Sequence, residues 1–561
     1  MSERYLLEAL KKHVAHRPND VAVTDQNESL SYSEFYDRIE SLAKSITGLS
    51  SYGAAVAVCM PRGINFVIAA YATWMANRVY VPMDANWPLS RKETVQVLSD
   101  AELLIESEGV RVLNPKQKGK TDSSHAYIIF TSGTTGEPKG VLVGHRAYEN
   151  LVQEHHNKIY SPNGLVSGNV AMNASFCFDS SLERLALVAL GYSLHVVSDE
   201  IRKSPQLLLE YLRDHNICNI DLVPSHLKLL LEVGLSSVSS LKLIIVGGEA
   251  IDGDLWKNLA SIDATVFNVY GPTENTINTT IKKISGNEAT IGKPLGGVEC
   301  VVVNDAGDIC DKEEPGELYV QGCHLAEGYY NNHERTLEAF VMFQGKRSYR
   351  TGDLVKRSSN GDLLFLGRLD DQIKISGYRI ELEEVRKAIA ALEGVSEVAV
   401  SVVKNSANNS ALLASVVSSQ GGQINVSTLK NKLAQFLPEY MVPVLWQEVT
   451  KIPLTDNLKL DHKSLVESWG SRASEESKSP SAQNSDAISE RVKSVWEQVL
   501  GQPNLACDTH FFNIGDSIAA MNLMVALETH LGISLSLPDL FLHPTIDALS
   551  AHIKCKQMEV L

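Results

Sequence analysis

The run Thr131-Ser132-Gly133-Thr134-Thr135-Gly136-Glu137-Pro138-Lys139-Gly140 constrains this 561-residue chain more than any other stretch. It follows an apolar, strand-like segment, Tyr127 to Phe130, and gathers three glycines, four hydroxyls and one lysine. Glycines let backbone N–H groups approach an anion, hydroxyls donate to phosphate oxygens, and a lysine supplies charge. A strand that opens into such a loop reads as a polyphosphate cradle in an α/β protein. It is not a Walker loop, because Gly140 follows Lys139 where a magnesium-binding Ser or Thr would stand. Taken alone, the same composition also describes a surface turn.

The flanking sequence favours the cradle. Apolar strand-like runs such as Ala54 to Val58, Ile217 to Val223 and Leu241 to Val246 alternate with helical patterns through residue 369. That alternation predicts layered, largely parallel sheets. From Asp370 to about residue 466 the chain reads as a small α+β unit, with a helix over Ile380 to Leu392 and strands over Val395 to Val403 and Ala411 to Val417. Residues 467–485 are rich in Ser and charge, which is linker composition. In 486–561 the positions Ile488, Val492, Val495, Trp496 and Val499 keep helical spacing, so an all-α module is expected.

Net charge is −16, which argues against a nucleic-acid partner but leaves a free nucleotide open. No apolar run reaches the ~20 residues that span a bilayer, and the N-terminus lacks a secretory core. The eight cysteines form no CxxC pair and read as reduced thiols of a cytoplasmic protein. His155-His156 has no cysteine partner nearby and is expected on a solvated helix face.

Further segments complete an ordered set: Asn77 to Pro82, Gly247-Gly248-Glu249-Ala250, Val269-Tyr270-Gly271-Pro272-Thr273-Glu274, Tyr349 to Leu354, Gly367 to Arg379, Leu437 to Pro443 and Asn457 to Asp461. In this order and spacing they resemble the adenylation domains of nonribosomal peptide synthetases, within the wider adenylate-forming enzymes. Phe511 to Ser517 resembles the attachment motif of a peptidyl carrier domain. The resemblance implies a large α/β adenylation core, a small α+β lid and a four-helix carrier. It also implies two reactions: an amino-acid carboxylate attacks the α-phosphorus of ATP, and the acyl group then moves to a phosphopantetheine thiol. An acyl- or aryl-CoA ligase with an unrelated helical tail, or a degenerate carrier scaffold, are the competing readings.

By that resemblance Thr131, Ser132, Gly133, Thr134, Thr135, Gly136 and Lys139 hold phosphates. Gly248, Glu249, Ala250, Asn268, Tyr270, Gly271 and Thr273 surround the adenine, with Tyr270 stacked on it. Asp353 accepts the ribose hydroxyls, Arg368 lies beside them, and Glu274 binds Mg²⁺. Lys459 bridges the substrate carboxylate and the α-phosphate, where an ammonium offsets developing charge. Asp370 is the hinge, and Ser517 is the phosphopantetheine attachment point at a helix N-terminus. Asp179 pairs with the substrate ammonium, and Ser180, Glu183, Asp221, Ile245, Gly247, Val269, Ile277 and Asn278 line the side-chain pocket. Two carboxylates there, Glu183 and Asp221, predict a basic substrate of the ornithine, lysine or arginine type, because buried carboxylates need partners. If one of them is ion-paired instead, a polar neutral substrate follows.

Implied partners are a phosphopantetheinyl transferase and a downstream condensation, tailoring or release enzyme. A small activating protein is a further partner that the family uses. Leu458, His462 and Ser376 stand where the family usually has Gly, Arg and Arg, and a single glycine, Gly515, precedes Asp516.

Overall fold

The structure is a computed structural model that describes residues 4–113, 121–133, 137–370, 372–375, 377–404, 410–419, 424–453, 460–476, 487–500, 505–509, 511, 517–533, 535, 539–540 and 543–560. It divides into two compact units. The larger comprises Met1–Gly133 and Glu137–Glu381, and the smaller runs over Leu382–Leu561.

The larger unit is built on three sheets. One has nine strands, of which six neighbours run parallel: Thr265–Tyr270, Leu243–Gly247, Ile217–Leu222, Asn169–Met172, Ser193–Val196 and Val21–Thr24. A second has seven strands, with Val79–Asp84 parallel to both Ala55–Met60 and His125–Thr131. Ala55–Met60 is buried at every position, as expected of a parallel strand covered on both faces. The helix Ile64–Met75 is apolar on nearly all sides and is buried from Phe66 to Trp74. Against the expectation of largely parallel layers, the third sheet is antiparallel throughout, from Val298–Val303 to Leu363–Arg368.

The parallel strands deliver their carboxyl ends to one edge, and in such sheets ligands bind outside those ends. Asp221 pairs in register with Ile245, and Gly247 with Val269, so four expected pocket positions sit side by side on three adjacent strands.

Two boundaries differ from the sequence reading. The segment Tyr378–Glu381 is a strand paired with Gln372–Ile375, and the following helix starts at Leu382. This hairpin packs with the larger unit rather than with the lid. The expected linker is helical over its first part, in the helix His462–Glu476. Asp461 receives the Ser464 N–H as an N-terminal cap would, and Ser468 Oγ donates to Gln447 of the neighbouring sheet. Those anchors hold the helix start, and Ala473, Glu475 and Glu476 favour its continuation.

In the smaller unit the helices Leu382–Ala390 and Val426–Leu433 accompany a three-stranded sheet of Val395–Lys404, Ser410–Ser418 and Leu445–Glu448. Its C-terminal part holds the helices Ala487–Leu500, Ser517–Leu531 and Ile546–Val560. Val492, Trp496, Phe511, Leu523, Leu527, Leu549 and Ile553 are fully buried there. Trp496 meets Phe511 edge-on at 5.0 Å. Replacing Trp496 by Ala is expected to cost about 3–5 kcal/mol. The full-length variant should keep amino-acid-dependent ATP–pyrophosphate exchange yet lose acylation of its carrier, read by intact-mass spectrometry.

Candidate functional site

The phosphate loop connects an antiparallel strand pair in which Thr131 lies opposite Lys139. Close approach explains one of its glycines: a Cβ on Gly140 would sit 2.8 Å from Ile128 and 3.0 Å from Phe130. Thr134, Thr135 and Gly136 lie outside the described residues. Ser132 is buried and its hydroxyl donates to the Arg379 carbonyl at 2.9 Å.

The charged centre of the site is Glu274, which is fully buried. It lies in the short helical turn Thr273–Asn275, just past the end of strand Thr265–Tyr270. Its Oε1 accepts the Tyr329 hydroxyl at 2.8 Å and faces Lys139 Nζ at 3.4 Å. Its Oε2 accepts from Arg379 Nη1 at 2.9 Å. Burial alone would raise this carboxyl, but Arg379 and Lys139 outweigh it and hold the group well below the usual carboxylate range. Burial lowers the Lys139 ammonium to about 8, Arg379 adds to the fall, and Glu274 opposes it.

The ribose position is equally organised. Asp353 accepts the Tyr270 hydroxyl and, at 2.7 Å, Arg368 Nη1. Arg368 also grips Asp370 through two bonds of 2.6 and 2.7 Å. Gly248 takes the left-handed conformation at φ +86° that opens the turn to Glu249. Glu249 accepts Ser225 N–H at 2.9 Å and Gly377 N–H at 2.7 Å. Gly271 lets the chain of Ile277 and Asn278 pass against it, where a Cβ would stand 2.3 Å from the Ile277 carbonyl. Ala250 follows Glu249 in the same turn. Asn268 points into the sheet instead, where its amide donates to the Thr290 carbonyl at 2.7 Å.

Asp179 immediately precedes the helix Ser180–Ala189. Burial raises its carboxyl, while the Thr273 hydroxyl and Lys374 pull it down. One turn along that helix the pocket departs from expectation. Arg184 is wholly buried and lies between the two carboxylates, 3.2 Å from Glu183 and 3.4 Å from Asp221. Glu183 further accepts Tyr160 Oη at 3.0 Å and Asn278 Nδ2 at 3.1 Å, and faces His155 Nδ1 at 3.3 Å. Burial is outweighed by His155 and Arg184, and the Glu183 carboxyl falls to about 2. Burial raises that of Asp221, with Arg184 opposing. Thus the carboxylates expected to await a cationic substrate already have a cation. His155, expected on a solvated face, is 2 % exposed and part of this cluster. Ile245, Val269 and Ile277 supply buried apolar walls nearby.

Lys459 lies outside the described residues. Ser517, expected to carry the phosphopantetheine, is the first residue of the helix Ser517–Leu531. Sequence reasoning overlooked Arg184, His155, Tyr329 and Arg379. Arg379 alone stood within a quoted motif, adjoining Gly377-Tyr378. Among the described residues no cluster of three His, Cys, Asp or Glu could hold a metal, and the seven cysteines whose side chains are described are free. One buried carboxylate beside a phosphate loop suits Mg²⁺ that arrives with nucleotide, since this ion keeps few protein ligands and binds substrate phosphates. No helix of the described residues is long and apolar enough to cross a membrane.

Comparison with known proteins agrees with this arrangement. The AMP-binding enzyme family matches residues 10–330, and the phosphopantetheine attachment site family matches 490–553. The chain therefore belongs to the AMP-binding, adenylate-forming enzymes. The dapdiamide synthesis protein DdaD of Enterobacter agglomerans is 45% identical over 96% of this chain and 95% of its own length. Tyrocidine synthase 1 of Brevibacillus parabrevis is 30% identical over 96% of this chain but 51% of its own length. Among solved structures, holo-PA1221, a nonribosomal peptide synthetase protein with adenylation and carrier domains, superposes with a TM-score of 0.76 at 23% identity, covering 97% of this chain and 96% of that one. The protein is thus an ATP-dependent adenylate-forming ligase joined to a carrier domain, of the nonribosomal peptide synthetase adenylation–carrier type that activates an amino acid. Such proteins use ATP with Mg²⁺ and bear phosphopantetheine on the carrier.

Two outcomes follow from these contacts. Changing Asp353 to Asn should weaken ATP binding by about tenfold or more, the scale of hydrogen bonds to a charged group, read by calorimetry. The Glu183 carboxyl is depressed to about 2 from an ordinary 4.5, so its stabilising pairing is complete above about 4.5 and lost as pH falls toward about 2. Thermal stability should therefore fall across that acid window, and Glu183→Gln should flatten the slope while lowering stability at neutral pH.

Proposed function

We propose that this protein activates an amino acid with a polar, uncharged side chain as its adenylate and loads it onto its own carrier at Ser517. The observation that carries the side-chain reading is Arg184. It stands between Glu183 and Asp221 and answers one of their two negative charges within the protein, so the pair is not an unopposed anionic site for an ornithine-, lysine- or arginine-type side chain. A basic group placed there would stand beside Arg184 and add like-charge repulsion to its own desolvation. Asp221 Oδ1 and Arg184 Nε face each other at 3.4 Å, an ion pair looser than a hydrogen bond. A polar neutral side chain that offers a donor and an acceptor suits such a loosely closed pair better than a second cation does.

In the first reaction the substrate ammonium pairs with Asp179, which keeps the α-carboxylate oriented. Lys139 and the loop around it receive phosphate oxygens, and Asp353 takes the ribose hydroxyls. Bound Mg²⁺ would lie on Glu274 and supply charge neutralisation at the phosphates. Lys459 neutralises charge between the reacting carboxylate and the α-phosphate, which moves toward the pentacoordinate state as the leaving pyrophosphate separates. In the second reaction the phosphopantetheine thiolate attacks the acyl carbon, and AMP departs. Asp370 is the hinge between the two tasks, and its grip on Arg368 links it to the ribose carboxylate. A phosphopantetheinyl transferase must first modify Ser517, and a condensation, tailoring or release enzyme takes the loaded acyl group. The likeness to DdaD supports a place in the assembly of a small peptide-like product.

An ATP–pyrophosphate exchange panel over all amino acids, followed by intact-mass analysis of the loaded carrier, tests this. Strongest exchange with a polar neutral amino acid and a single pantetheine adduct lost in Ser517→Ala are expected. Strong exchange with ornithine, lysine or arginine would overturn the side-chain reading, and exchange with no amino acid would overturn the activity.

A further inference from the structure

The contact between Arg379 and Glu274 has no part in either reaction as described. Arg379 belongs to the hairpin Gln372–Ile375 and Tyr378–Glu381, which is pinned against the nucleotide-facing residues. Its backbone carbonyl accepts from Ser132 of the phosphate loop at 2.9 Å. Gly377 donates to Glu249 beside the adenine position at 2.7 Å, and Tyr378 meets Phe178, next to Asp179, edge-on at 5.1 Å. From this seat the guanidinium reaches Glu274, the buried carboxylate read above as the metal ligand, with a bond of 2.9 Å. The acid side chain is 0% exposed and Arg379 is 14% exposed.

A fully buried carboxylate needs compensating charge at all times. Lys139, at 3.4 Å, makes one ion pair with it. When a divalent cation is present on Glu274, a second positive charge at hydrogen-bond distance would be repelled by it. When the cation is gone, Glu274 keeps one cation and loses the other. We propose that Arg379 is a positioning residue that exchanges places with the metal on Glu274: it withdraws when metal–nucleotide binds and returns when metal leaves with pyrophosphate. Its return keeps the buried acid neutralised and takes the coordination position that metal–pyrophosphate would need to re-enter. The hairpin bonds to Ser132 and Glu249 register the guanidinium for that return.

The proposal rests on the reading of Glu274 as the metal-binding carboxylate, and the test separates the two. Mn²⁺ binding to the full chain with α,β-methylene-ATP is followed by electron paramagnetic resonance, without turnover. Arg379→Ala removes the competitor, so half-saturation is expected at a Mn²⁺ concentration lower by about tenfold, the scale of a charge-assisted hydrogen bond. Arg379→Lys keeps a charge and should return half-saturation most of the way to wild type, which a packing defect alone would not do. In pyrophosphorolysis of the preformed adenylate, Arg379→Ala should consume adenylate faster at limiting Mg²⁺. Circular dichroism confirms that each variant is folded. Unchanged Mn²⁺ half-saturation in Arg379→Ala, with binding weakened in Glu274→Gln, overturns the exchange while leaving Glu274 as the metal ligand. Unchanged binding in Glu274→Gln overturns that reading and the exchange with it.

Discussion

A single buried carboxylate, Glu274, imposes the arrangement on which the site depends. It sits at the end of a parallel strand with no solvent to stabilise it, so every neighbour must answer its charge. Tyr329 comes from the strand Gly328–Tyr329, Lys139 from the end of the phosphate loop and Arg379 from the hairpin before the smaller unit. Three segments far apart in sequence are drawn to one atom pair. Lys139, which closes the loop expected to hold phosphates, is thereby fixed beside Glu274. The lysine is kept close to its pairing partner while burial lowers its pKa to about 8.

The side-chain pocket follows the same rule with a different result. Its two buried acids share one arginine of the protein itself, and the cluster extends through Asn278, Tyr160 and His155. Arg184 between the two acids is the observation on which the proposal of a polar, neutral substrate rests. The two clusters lie along the carboxyl edge of one sheet, the place where parallel strands leave space for ligands.

Much of this was legible in the sequence. The Gly-, Ser- and Thr-rich run after an apolar strand marked the phosphate loop, and continuous apolar segments marked the parallel strands. Asp353, Tyr270 and Glu274 stand in local motifs and so could be singled out from the sequence as candidates, and the structure joins Tyr270 to Asp353. Partners supplied from elsewhere in the chain were not. Arg184 follows Glu183 in a helix and looks like a neutral surface pair, and only its complete burial against Asn219 and Asp221 reveals it. His155 ends a helix whose polar neighbours suggested solvent, yet the helix turns it inward to Glu183. The stretch after Ser468 looked like a linker because it is poor in apolar residues. Its first residues are helical because a capped start and a bond to Gln447 suffice where apolar burial is small.

The most direct test of Glu274 as the convergence point is the rate of ATP–pyrophosphate exchange in a folded Glu274→Gln variant at saturating Mg²⁺ and ATP. The substitution keeps shape and removes charge. If metal and loop cations are organised by that charge, exchange should fall by about a hundredfold or more, as for loss of a preorganised electrostatic group. Exchange at the wild-type rate would contradict the assignment.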